Sequence, residues 1–250
     1  MQLRQADALV LDVVDLHEKD RIVTFLTAEH GRKKGVARGA RAKFSRFAGQ
    51  LQPLAKVDLR WAEKEGRELV RISDVSLLRP SSGLEDLEGL LLGAYLAEHM
   101  DQFAQEDDPS APLFRLLEST LEALASGEVE RPLASRYYEI WMLRLQGLLP
   151  VPRECPLCGE ALGETAYFLE AESAIVCASC AAGHRATVID GPALAFLRRS
   201  GRENLQSLAA DPPPERAVRR GEILCRPVRR HFLQGELRSY RVMRETLAAF

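Results

Sequence analysis

Four of the five cysteines stand as two pairs, Cys155-x-x-Cys158 and Cys177-x-x-Cys180, with eighteen residues between them. No other feature constrains the fold as tightly. A two-residue gap lets one tight turn aim both sulfurs at a single ion, at about 2.3 Å each. Pro156 and Gly159 suit the first turn, and the stretch AYFLEAESAIVC reads as a short hairpin that brings the second turn opposite the first. The expectation is one structural Zn2+ held by Cys155, Cys158, Cys177 and Cys180. Four thiolates leave no coordination position for a catalytic water. Disulfides would need an oxidising compartment. A redox dithiol would need a lone CxxC in a thioredoxin-like βαβ setting, which the sequence lacks. His184 reads as a surface histidine and Cys225 as a half-buried helix residue.

Acidic residues at Asp7, Asp12 and Asp15 interrupt the N-terminal segment, which has no basic region leading into an apolar run and so does not read as a secretory signal. Uncharged apolar stretches such as 89–97 are far too short to span a bilayer. A cytoplasmic, nucleoid-associated protein is expected, without a membrane partner.

The net charge of −2 conceals a segregation. Residues 1–80 hold 16 basic and 11 acidic side chains, residues 81–134 hold 2 and 12, and residues 135–250 hold 16 and 13. Such asymmetry suggests different partners for different parts. The acidic middle reads either as solvated helix faces or as a surface for a protein partner.

The first 80 residues read as five short strands, at 6–16, 20–27, 32–40, 57–61 and 67–78. Gly31 and Lys64-Glu65-Gly66 serve as turns, a longer link runs through 41–52, and a bulge is expected where the apolar phase slips between Ile72 and Val75. This fits a small barrel of the OB type, and periodicity alone also allows an SH3-like one. After Pro80 the period becomes helical. Ser82 and Glu85 suggest a capping box ahead of Leu84, Leu87, Leu91, Ala94 and Tyr95. A second helix is expected over 111–125. A third, opened by Pro132, carries Tyr137, Ile140, Trp141, Arg144 and Leu148. Beyond the cysteine insert, Asp190 and Pro192 start another helix, and DPPP at 211–214 reads as a stiff linker. Helices follow over 215–226 and 228–248, with Pro227 breaking between them. The layout is therefore α+β multidomain: an OB barrel (1–80), the first part of a helical domain (81–150), an inserted four-Cys zinc module (151–189), and C-terminal helices completing the helical domain (190–250).

Residues 32–46 contain Arg32, Lys33, Lys34, Arg38, Arg41, Lys43 and Arg46 and no acid. A run this one-sided on a barrel strand and loop points to nucleic-acid phosphates, since single strands are held by positive grooves with aromatic platforms. The alternative is a solvated edge strand protected by its charge. Gly35 and Gly39 would keep this strand slim enough for phosphates to approach. Phe44 and Phe47 would either stack on bases or plug the barrel. A second basic group, Arg216, Arg219, Arg220, Arg226, Arg229 and Arg230, would either contact DNA or form helix-surface salt bridges. Nothing points to catalysis. There is no phosphate loop, GxSxG or HExxH, the five histidines are scattered, and Asp107-Asp108 sits in a loop without a supporting motif.

Ala8-Leu9-Val10-Leu11, Glu18-Lys19-Asp20-Arg21-Ile22-Val23, Leu26-Thr27, Gly31, Ala37-Arg38-Gly39-Ala40-Arg41, Leu51, Pro53 and the Cys-Pro-Leu-Cys-Gly knuckle at 155–159 together resemble the RecO family of recombination mediators. The resemblance covers most of the chain and is looser after residue 190. It implies an N-terminal OB-fold, a helical domain and a zinc module. It implies a non-enzymatic protein of DNA repair that binds single- and double-stranded DNA and anneals complementary strands. It also implies partnership with RecR and with the acidic C-terminal tail of the single-strand-binding protein SSB, in support of RecA loading. It places DNA on the seven basic barrel residues and metal on the four paired cysteines. The competing reading is a zinc-ribbon transcription or RNA-binding factor with an OB-fold, and a thiol oxidoreductase is a third.

Overall fold

The alternation of Val57, Leu59 and Trp61 with Lys56, Asp58 and Arg60 puts three apolar side chains on one face of a strand. That face lines a closed barrel. In the computed structural model, which describes residues 2–248, the strands are β1 (Gln2–Leu16), β2 (Asp20–Thr27), β3 (Gly31–Ala37), β4 (Lys56–Glu63) and β5 (Val70–Arg79). They close in the order β1-β2-β3-β5-β4, with β1 pairing to both β2 and β4 and with β3 parallel to β5. This is a five-stranded OB-type barrel. The expected bulge is present: Arg60 faces Asp74 and Trp61 faces Ile72, leaving Ser73 as the extra residue.

Phe25, Phe47, Leu59, Trp61 and Ile72 fill the interior. Phe25 and Trp61 meet edge to face at 5.4 Å. Each large side chain removed from water contributes roughly 1.5–3 kcal/mol. β3 ends at Ala37 rather than 40, and Gly35 faces inward rather than toward a ligand. A Cβ there would lie 2.8 Å from the Ile72 side chain, so the slimness of β3 at this point serves the core.

Two compact units make up the chain. The first takes residues 2–125 and 237–248, and the second takes 126–236. In the first, the barrel is followed by α1 (Leu87–Phe103) and α2 (Ala111–Ser126). The capping box is not formed. Asp86 caps α1 instead, accepting from the Gly89 amide at 2.7 Å, while Glu85 turns back to the Gly83 amide. Asp is as good a cap as Ser, and Asp86 stands next to the first turn.

The second unit contains α3 (Arg131–Leu145), β6 (Ala166–Leu169), β7 (Ala174–Val176), α4 (Ala178–Ala181), β8 (Ala186–Ile189), α5 (Gly191–Arg199), α6 (Leu205–Ala210) and α7 (Glu215–Leu233). Pro132 lies in the first turn of α3, and Leu148 falls beyond its end. Asp190 caps α5 as expected. Pro227 does not break α7, which runs through it to Leu233 and stops at Gln234 in a left-handed conformation, φ 54°. An interior proline costs about 3 kcal/mol. Here Leu224 and Cys225 before it, and Val228 after it, are all buried and hold the helix on both sides. Cys225 is fully rather than half buried. The chain ends in α8 (Arg238–Leu247) of the first unit, packed on α1 through Tyr95 and Tyr240. Glu98 accepts from the Arg238 and Ser239 amides and so satisfies the helix N-terminus with a carboxylate. Among the described residues, no helix is long and apolar enough to cross a membrane.

Candidate metal centre and nucleic-acid surface

The first cysteine turn closes through the Gly159 amide on the Cys155 carbonyl at 2.8 Å. Gly159 takes φ +78°, a region that favours glycine, with open space where a Cβ would be. The second turn follows the β6–β7 hairpin, in which Tyr167 pairs with Val176. Cys177 then begins α4 and carries Cys180 one turn later. The four sulfurs lie within 4.8 Å of one another, and Cys158 and Cys177 are 3.7 Å apart. A tetrahedral ion with 2.3 Å bonds needs edges of about 3.8 Å, whereas a disulfide needs about 2.05 Å. The donor set thus fits a metal ion and not a disulfide. The crowding of the sulfurs also splits their acidities. Burial raises the Cys155 thiol, but the amides of Cys177, Leu157 and Cys158 outweigh it and bring the pKa to about 6. Cys180, crowded by Cys158 and Cys177, is pushed up to about 12. Without a cation, four thiolates cannot share so small a space. His184 is exposed and outside the cluster.

The seven basic barrel residues divide. Arg38, Arg41, Lys43 and Arg46 are exposed on the β3–β4 connection, and Lys34 lies half-exposed on β3. The connection is anchored at its root. The Gly39 amide donates to Asp20 at 2.8 Å and the Arg41 amide to the Lys19 carbonyl at 3.0 Å. Arg41 also meets Asp15 at 3.3 Å on the surface. Phe47 is buried in the barrel, while Phe44 is 91% exposed, which separates the two roles left open for them. Arg32 and Lys33 instead face acids of their own unit. Arg32 pairs with Asp101 at 3.0 Å, and Lys33 is held by Glu63 and Asp107. Burial lowers the Lys33 ammonium, but hydrogen bonds to Asp107 and Glu63 prevail and raise it above its ordinary value. Part of the acidic middle of the chain therefore neutralises the barrel, as Glu118 also does for Lys56 at 2.8 Å.

Arg67 and Arg71 were absent from the sequence-derived set. Both are exposed and line a groove of about 770 Å³ with Arg38, His17 and the acids Asp20 and Glu68, between the β1–β2 and β4–β5 turns. The alternation Val70-Arg71-Ile72 does turn Arg71 outward. Only the parallel β3–β5 pairing, Val36 to Arg71, brings it near Arg38.

The second basic group divides as well: Arg226 and Arg229 are engaged, while Arg216, Arg219 and Arg230 are exposed. Arg229 is 1% exposed and donates to Glu139 at 3.2 Å and Glu236 at 2.8 Å. Glu139 also binds Arg136. Arg226 meets Glu236 at 2.8 Å, and Arg219 meets Glu215 at 2.5 Å.

Comparison with known proteins gives one answer along most of the chain. Residues 1–81 match the family described as Recombination protein O N terminal, and residues 84–241 match Recombination protein O C terminal. The chain is similar to a DNA repair protein RecO of Anaeromyxobacter dehalogenans strain 2CP-1, 36% identical over 86% of each chain. A protein of the same name from strain 2CP-C is 34% identical over 95% of this chain and 94% of its own. The one from Myxococcus xanthus is 36% identical over 88% and 89%.

Proposed function

The chain belongs to the recombination protein O family of DNA repair and recombination proteins, and from that premise we propose that it acts as a mediator that binds DNA and anneals complementary strands. The observation that carries this reading is the exposed set Arg38, Arg41, Lys43 and Arg46 beside the groove of Arg67 and Arg71. Phosphate contacts position a strand without reading its sequence, which is what pairing of arbitrary complements requires. Neutralising both backbones lowers the repulsion between approaching strands. Exposed Phe44, with the Lys43 ammonium 5.7 Å from its ring, offers a stacking face for a base. The surface serves single- and double-stranded DNA, in the cytoplasm and at the nucleoid, without catalysis. The partners on this reading are RecR and the acidic C-terminal tail of SSB, with RecA acting downstream.

Zinc is the metal we assign to the cysteine cluster, because four thiolates suit it. When bound, it cross-links the turn at Cys155–Cys158 to the hairpin and α4 and supplies no reaction. Annealing of complementary oligonucleotides, bare and coated with SSB, tests the proposal. Faster pairing of coated strands is expected. Binding of DNA or RNA without faster pairing would favour a zinc-ribbon transcription or RNA-binding factor.

A further inference from the structure

β5 pairs with β3 only from Gly35 to Ala37, so the first half of β3 has no barrel strand on that side. The chain itself occupies the gap. The Arg32 amide donates to the Gln105 carbonyl at 3.3 Å, and the Asp107 amide donates to the Arg32 carbonyl at 3.2 Å. Arg32 and Glu106 thereby form a parallel bridge. The side chains repeat the contact. The Arg32 guanidinium donates to the Ala104 carbonyl at 2.9 Å, meets Asp101 at 3.0 Å and lies 3.9 Å from Glu106. Asp107 takes the Lys33 ammonium. Gly31 makes room, since a Cβ there would stand 2.3 Å from the Asp108 carbonyl oxygen.

We infer that residues 104–108, Ala-Gln-Glu-Asp-Asp, form an acidic strap that competes with DNA phosphates for Arg32. The inference rests on the reading of the barrel as a DNA-binding surface. The carboxylates of Asp101 and Glu106 stand on Arg32, which shares the outer side of β3 with Lys34, while Asp107 stands with Glu63 on Lys33, which is buried. The strap is built to be displaceable. Glu106 and Asp107 keep 46% and 66% of their side chains in solvent, and ion pairs this exposed hold weakly. Its two backbone bonds are long, and Asp107 takes a left-handed φ of 58°. Closed, the strap helps withhold Arg32, while Lys33 keeps its second acid, Glu63 of β4, whether the strap is closed or lifted. Lifted by a strand that already engages Arg38, Arg41 and Lys43, the strap gives up Arg32, and the barrel gains that contact only after the strand has seated.

The test uses the full-length protein and an oligothymidylate, titrated across a salt series. An Asp101→Asn, Glu106→Gln, Asp107→Asn triple variant removes both carboxylates that stand on Arg32 and leaves Lys33 to Glu63 alone, with little change in shape. It should bind roughly threefold tighter at low salt, with a log–log salt slope steeper by about 0.7, the one further contact being Arg32. Unchanged affinity and slope overturn the strap. An Arg38→Ala, Arg41→Ala, Lys43→Ala variant is measured in parallel. If it binds as well as the unaltered protein, the DNA-binding reading itself fails. If it loses affinity while the strap variant gains none, the strap alone fails. Amide hydrogen exchange on the unaltered protein decides the matter even if the strap variant misfolds. Saturating oligothymidylate should speed exchange of the Asp107 amide about tenfold, and unchanged or increased protection there overturns the inference.

Discussion

The loop after β3 and the helix α7 are both rich in basic residues, and they differ in how many of these side chains meet acids. In the loop, Arg38, Arg41, Lys43 and Arg46 project from a segment with no acid of its own between residues 38 and 50. The nearest carboxylate contact, Asp15 on Arg41, is a surface pair of the kind worth about 0–1 kcal/mol. On α7, helical periodicity turns Arg229 into the packing face against α3, where it meets Glu139, while Glu236 gathers Arg226 and Arg229 from just beyond the helix end. Arginine density in a sequence therefore says little about availability. What decides it is whether the local period aims the guanidinium inward and whether an acid waits there.

The contrast can be broken or sharpened by experiment. The largest effect is expected at the cysteine cluster of the second unit, where removal of the metal should be a structural loss and not a loss of DNA affinity. Structural zinc is worth about 10–16 kcal/mol in small peptides at neutral pH. Cys177→Ser should abolish the content of about one zinc per chain and expose the Tyr167 to Leu169 amides to exchange. Full metal-free protection of those amides would contradict this. Next in size, Glu139→Ala leaves Arg136 and Arg229 in the interior without their shared carboxylate. It should destabilise the protein by about 3–5 kcal/mol, read from urea unfolding. A shift below about 1 kcal/mol would mean that α7 is not held as described.

On the DNA side, Arg38→Ala, Arg41→Ala, Lys43→Ala should flatten the salt slope by about 2, at roughly 0.7 per contact. Arg226→Ala together with Arg230→Ala, both beside Glu236, should move it by less than about 0.5. Equal losses from the two variants would erase the distinction drawn above. The smallest effect concerns Glu236. Burial raises its carboxyl, but hydrogen bonds from Arg229 and Arg226 prevail and hold the pKa below its ordinary value. A depressed carboxylate contributes stability that is complete above its unfolded value, about 4.5. That contribution is lost as pH falls through the lower folded value. Glu236→Gln should therefore converge with the unaltered protein on acidification below that range, and parallel stability curves down to pH ~3 would refute it.

The barrel was legible because strand alternation is local. Val57, Leu59 and Trp61 announce their face within five residues, and the phase slip near Ser73 announces the bulge. The cysteine cluster was legible because its spacing encodes its geometry. Local rules failed where two local signals competed, as when Asp86 displaced Ser82 as the cap, or where packing overrode propensity, as at Pro227. Phe44 and Phe47 have the same chemistry three residues apart, and only the closed barrel assigns one to the core. The pairing of Arg32 with Glu106 joins residues 74 positions apart and leaves no periodic trace in either segment.

The filled interior of the barrel has a consequence for how a strand would present itself. With Phe25, Phe47 and Trp61 filling the lumen, a strand held by the loop arginines, as proposed above, would lie along the outside of the barrel. Gripped there on its backbone, it would keep one flank free, and the Watson–Crick edges of its bases would point outward toward an incoming complement. The protein would then act as a handrail and not a sheath: it need not let go before pairing begins, and each base pair formed would loosen its stacking on a side chain such as Phe44 rather than compete with a closed binding pocket.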